Sequence, residues 1–184
     1  KKSGALSDAN RTDPSKNIFC NETGEIMLNG QTDTMILDTP RTAGGYAPEE
    51  KSLSTRQGVN ITIAGAPATC WVSALDNKTI RQSQHLLVTH LTDVQNTGIT
   101  YGERARQTLL AWGTLPHLVR AGSARIEIKT DHSDKLKVHA LSTSGKRLAA
   151  VNAQAANGIL TFTADVGRFA DKHGAVLCYE IAPD

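Results

Sequence analysis

From Asn17 to the carboxy-terminal aspartate the chain repeats one device. A short β-favouring run is closed by turn residues, and another run follows. Val59, Ile61 and Ile63 alternate with polar residues, as do Ile126 and Ile128, and then Leu136, Val138 and Ala140. Period two is the pattern of a strand with one buried face. "GEIMLNGQTDTMILD" places apolar segments on both sides of Asn29-Gly30, a strong hairpin signal, with Gln31, Thr32 and Asp33 available to lengthen the loop. "VNITIA", "ATCWVSALD", "HLLVTHL", "ARIEIK", "GILTFTA" and "AVLCYEIA" read as further strands. "KLKVHALSTSGKRLAAV" reads as a hairpin turning at Ser144-Gly145. One segment competes for helix. "YGERARQTLLAWG" has good helix formers from Glu103 to Trp112, but Gly102 and Gly113 bracket it closely, and it is read as strand or irregular structure. "VGRFADKHG" allows a short helical turn. No regular strand-helix alternation appears, so the expected fold is all-β. More specifically, it is a β-sandwich of antiparallel strands with at most one or two short helical turns, covering residues 17–184.

Composition removes several function classes. A chain of 184 residues with 39% hydrophobic content can bury one real core. No run approaches the roughly 20 apolar residues that cross a bilayer as a helix, so no membrane span is expected. The net charge is +2, with both signs interspersed, and no basic stripe is present to neutralise phosphates. Nucleic acid is therefore not an expected partner. Residues 1–16, "KKSGALSDANRTDPSK", have the Ser, Gly, Asp and Pro content of a linker or a cut end. Their two leading lysines lack the apolar region of an intact signal peptide. "DANRTDP" lacks the spacing, glycine and terminal glutamate of an EF-hand loop.

Chemistry-bearing residues are scattered. Cys20, Cys70 and Cys178 are far apart, form no Cys-x-x-Cys pair and lie in apolar segments, so they are read as buried thiols, with one disulfide plus a free thiol as the alternative. His85 and His90 lie five apart on an expected strand and so face opposite sides. The remaining histidines have no ligand spacing. No metal or cofactor is expected, and no Gly-x-Ser-x-Gly elbow or phosphate loop is found. Asn21, Asn60 and Asn77 each head an N-glycosylation triplet. "LDTPRTAGGYAP" breaks an apolar run with Asp38, Pro40 and Arg41. Pro40 biases Thr39 to an extended conformation, which suits the exit of a strand. Asp38 and Arg41 are expected to pair across the bend. A catalytic role for Asp38 would need an opposed carboxylate about 5–10 Å away, and neither Glu49 nor Glu50 is placed to serve. No catalytic residue is assigned.

The order of motifs resembles a known group. Thr23-Gly24-Glu25, Asp38-Thr39-Pro40-Arg41-Thr42, Val72-Ser73-Ala74-Leu75-Asp76, Leu87-Val88-Thr89 and Gln95-Asn96-Thr97-Gly98 follow one another as in certain β-rich modules. Those modules lie carboxy-terminal to the catalytic barrels of bacterial glycoside hydrolases. The resemblance is densest from Thr23 to Gly98 and consists of strand and turn motifs. It implies a non-catalytic accessory domain whose partner is the catalytic domain of the same protein. It also implies a location that is extracellular, periplasmic or at the cell surface. The alternative is an independent carbohydrate-binding module, with a glycan as partner. Flat rings would then stack on sugars, and Tyr46, Tyr101 and Trp112 are the candidates, while Trp71 is expected in the core. Aromatic residues form only 4% of the chain, so Tyr101 and Trp112 are read first as partly buried packing residues.

Overall fold

The computed structural model describes residue 4, residue 7 and residues 9–184. The expectation drawn from Lys1 and Lys2 lies outside the described residues. Every strand pairing is antiparallel. The larger sheet has nine strands. In spatial order they are β1 (Ile18–Cys20), β2 (Ile26–Asn29), β3 (Thr34–Asp38), β4 (Thr42–Ala47), β7 (Ala68–Ala74), β8 (Leu86–Leu91), β18 (Cys178–Ala182), β14 (Lys137–Leu141) and β15 (Arg147–Val151). The smaller sheet orders β16 (Ala153–Ala156), β17 (Ile159–Asp165), β13 (Ser123–Lys129), β6 (Val59–Ala64) and β5 (Ser52–Ser54). This is the all-β, sandwich-like fold that the alternation implied.

One apolar cluster joins the two sheets. Val59, Ile61 and Ile63 of β6, Ile126 and Ile128 of β13, and Leu160 and Phe162 of β17 come from the smaller sheet. Cys70 and Val72 of β7, Leu86 and Val88 of β8, and Ile181 of β18 come from the larger one. Each fully buried aliphatic side chain contributes roughly 1.5–3 kcal/mol relative to exposure. Tyr179 adds a polar stitch at one end. Its hydroxyl donates to the Asp165 carbonyl at 3.1 Å and accepts from the Asp165 amide at 2.8 Å, while its ring packs against Phe162. Burial pushes the Tyr179 hydroxyl pKa well up.

Turn chemistry sets the connections. The β2–β3 loop is lengthened as the residues after Asn29-Gly30 allowed, and the Asn29 side-chain oxygen accepts from the Gln31 and Thr32 amides. The contested stretch from Tyr101 to Gly113 is not helical. It forms β10 (Thr100–Tyr101) and β11 (Leu109–Ala111), and the Glu103 carboxylate between them accepts from the Gln107 and Thr108 amides. That ribbon continues from another, β9 (Val94–Thr97) paired with β12 (Thr114–Val119), and together they form an arm between β8 and β13. A four-residue helix, α1 (Ala170–His173), occupies the other expected turn. Within the stretch read as linker, Asn10 is buried and donates to the Asn21 carbonyl at 2.9 Å, so this part of the chain lies along β1.

Trp71 departs from expectation. Ala68, Cys70, Val72 and Ala74 of β7 are buried, so Trp71 falls on the opposite face and is half-buried there. Strand alternation admits one series into the core, and here it is the uniformly apolar one, while Trp71 shares its face with Thr69 and Ser73.

Candidate functional site

The bend after Asp38 is architecture. Thr39 and Thr42 close it, with the Thr39 amide and hydroxyl both donating to the Thr42 carbonyl at 2.9 Å. Asp38 does not pair with Arg41. Its Oδ2 accepts from both the backbone amide and the Nε of Arg56 at 2.9 Å, so the carboxylate faces the β5–β6 turn of the other sheet. Gly44 and Gly45 follow for a steric reason. A Cβ on Gly45 would sit 1.8 Å from the Met35 carbonyl oxygen, and one on Gly44 2.1 Å from that of Cys70. β4 is therefore wedged between β3 and β7 more tightly than any other residue type permits.

The histidines also separate by face. His90 is buried in the core-facing row of β8, and neither of its ring nitrogens has a partner. His85, half-exposed, meets the Glu180 carboxylate at 2.8 Å, and Arg147 donates to the other oxygen of Glu180 at 2.5 Å. Arg147 foremost, and His85 after it, hold that carboxyl below its usual range. Among the described residues, no group of three or more His, Cys, Asp or Glu could hold a metal ion. All three cysteines are free. Cys20 and Cys70 are buried as expected, whereas Cys178 is only half-buried. Burial pushes the Cys70 thiol up to about 12.

The aromatic candidates occupy two places. Tyr101 and Trp112 share the arm, one on β10 and the other directly after β11. Trp112 is 75% exposed, which overturns its reading as a packing residue. Its carbonyl is held by the Asn96 side-chain amide at 2.9 Å, and the same Asn96 meets the His117 ring at 2.8 Å. Tyr101 is half-buried, with the Arg106 guanidinium 5.9 Å above its ring. Tyr46 lies apart from them, on the outer face of β4.

Strand register explains what surrounds Tyr46. Residues directly opposite in antiparallel strands share a face. Phe19 pairs with Leu28, Leu28 with Met35, Met35 with Tyr46, Tyr46 with Thr69, and Thr69 with Leu91. A row of apolar side chains therefore crosses the outer face from β1 to β8, interrupted only by Thr69. Beside it, Ile26, Leu37 and Trp71 share a second row through Gly44. Phe19, Ile26 and Leu28 are 45%, 40% and 47% exposed.

A cleft opens where the first row meets the arm. One cavity of about 220 Å³ is lined by Asp93, Gln95, Arg106, Leu118, Val119 and Arg120. A second, about 290 Å³, is lined by Tyr46, Pro67, Thr69 and Leu91 together with the same Asp93 and Arg120. Asp93 accepts from Arg106 at 2.7 Å and from the Gln95 amide at 2.9 Å. The Arg106 hydrogen bond is the main cause of a lowered Asp93 pKa. A further cavity, about 390 Å³ near His139 and Asp184, contains none of the aromatic candidates.

Known proteins add nothing to this geometry. The chain matches no family model, and neither a curated protein nor a solved structure is significantly similar to it. Sequence reasoning nominated Tyr46 and Tyr101 but missed Asp93, Arg106 and Arg120. These three are spread over 28 positions with no local motif, and only the path of the arm brings them together.

Proposed function

We propose that this chain is the non-catalytic accessory domain of a bacterial glycoside hydrolase that acts outside the cytoplasm. Its role is to pack against the catalytic domain of the same polypeptide and orient it. The observation that carries this reading is the apolar outer face of β1 to β3. A sheet face meant for water alternates polar residues outward. Here Phe19, Ile26 and Leu28 point outward instead, beside Met35 and Leu37. Contiguous exposed apolar side chains of this kind mark an interaction surface. The motif order supplies the identity of the partner.

Hydrogen exchange on the full polypeptide tests this reading. Amides of β1 and β2 should exchange more slowly there than in the isolated chain. Equal exchange, or a polypeptide with no glycoside hydrolase domain, defeats the proposal. A second reading, an independent carbohydrate-binding module, draws support from the exposure of Trp112, because an indole face open to solvent is what sugar stacking requires.

A further inference from the structure

The cleft between the outer sheet face and the arm has a cationic wall formed by Arg106 and Arg120. Thr92 and Asp93 clamp the backbone of Arg120: the Arg120 amide donates to the Asp93 carbonyl at 2.8 Å, and the Thr92 hydroxyl donates to the Arg120 carbonyl at 2.6 Å. Arg106 is held twice, by Asp93 and by the Tyr101 ring. Asp93 thus offsets one guanidinium of the two. Among the described residues no carboxylate lies within ion-pair distance of Arg120, which leaves the cleft one positive charge in excess. Tyr46 and Leu91, on either side of Thr69, give the second cavity an apolar side. The two cavities share Asp93 and Arg120 in their linings, and the one beside Tyr46, about 290 Å³, is close to the lower end of the roughly 300–1,000 Å³ typical of small-ligand sites.

A ligand matched to these walls carries an anion on one edge and a flat apolar face beside it, with hydroxyls around the rim. A simple anion would leave the Tyr46 wall unused. A neutral sugar would leave Arg120 without a partner. We propose that the cleft binds an acidic saccharide, with the carboxylate of a uronate ring on Arg120 and the apolar face of that ring on Tyr46. Guanidinium–carboxylate pairs are the strong, geometrically selective hydrogen bonds, and aromatic rings accept sugar faces. Thr69 and Gln95 supply a hydroxyl and an amide for the ring hydroxyls. The proposal goes beyond domain docking, because the docking face runs over β1 to β3 whereas Tyr46 and Leu91 belong to β4 and β8.

Calorimetric titration of this chain decides the matter. The probes are trigalacturonate, trimannuronate, the methyl ester of each, and acetate. At least one free acid should saturate, with its ester and acetate weaker by about tenfold or more, since the ester lacks the charge and acetate lacks the sugar face. Arg120→Ala and Tyr46→Ala should each weaken that binding about tenfold or more, while the melting temperature of Arg120→Ala stays unchanged because the residue is exposed. The proposal is overturned if neither acid saturates by about 10 mM, a concentration that already covers very weak sites. It is equally overturned if an ester or acetate binds as tightly as the acid, or if Arg120→Ala keeps the original affinity.

Discussion

His90 is fully buried among apolar side chains, and its two ring nitrogens have no hydrogen-bond partner. Desolvation disfavours its charged form and pulls its pKa from 6.5 down to about 4, opposed only in part by the Asp165 carboxylate. Between those values the unfolded chain binds a proton that the folded chain refuses, so stability falls as pH is lowered through that window. A gap of that size corresponds to on the order of 3 kcal/mol, fully lost only below the folded value. Denaturant midpoints measured from about pH 7 to pH 5 should therefore fall steadily, before most carboxylates protonate. His90→Leu should flatten that slope. A wild-type midpoint that is level across this range would contradict the buried, neutral ring. The burial of His90 was legible only in part. The sequence separated it from His85 by face, but "HLLVTHL" does not say which face meets the core. Trp71 failed for a different reason: its ring outweighed the alternation, although its own series also holds the polar Thr69 and Ser73 while Ala68, Cys70, Val72 and Ala74 form the apolar one.

Whole elements were easier to read than their internal faces. Hairpin turns at Asn29-Gly30 and Ser144-Gly145, and the strands around Ile61, Ile126 and Val138, follow from local chemistry that acts over a few residues. Asp38 illustrates the limit. Its proximity to Arg41 suggested a pair across one bend, but its partner comes from the turn between β5 and β6, eighteen positions away and in the other sheet. The carboxylate is buried and joins the end of β3 to that turn through Oδ2, while its other oxygen, Oδ1, has no hydrogen-bond partner. Arg56→Ala therefore removes the cationic partner of a buried carboxylate and leaves it the residue-56 backbone amide, at a cost of about 1–3 kcal/mol. Arg41→Ala should stay within about 0.5 kcal/mol, as for an ordinary surface change. Urea unfolding of both variants checks the assignment, and equal losses would return Arg41 to the interaction. The candidate cleft was less legible still. Its aromatic wall at Tyr46 could be nominated by residue type, whereas Asp93 and Arg120 stand at the two ends of an arm whose course no local pattern encodes.

At the scale of the molecule the two sheets are unequally covered. The five-stranded sheet has fewer strands than the nine-stranded one, and β1 to β3 form one edge of the larger sheet. On β2 and β3 most side chains are only half-buried or exposed, in contrast with the alternating full burial of β6 and β7. An edge of this kind contributes little to the stability of the isolated sandwich, and it gains more when a partner removes its outer face from water. Burial of apolar surface contributes about 25 cal/mol per Å², so a few fully covered side chains of the size of Leu28 are enough to couple two folding units. Leu28→Asp then separates two situations. In the isolated chain the side chain is already 47% exposed, and the variant should unfold within about 0.5 kcal/mol of the parent. If the proposed docking holds, the same charge would be buried in the full polypeptide without a partner, and the sandwich should lose about 2 kcal/mol or more. Parallel unfolding of both forms reads the difference directly. Equal small losses in the two contexts would mean that the apolar edge meets water in the full polypeptide, and the docking role would fall with it.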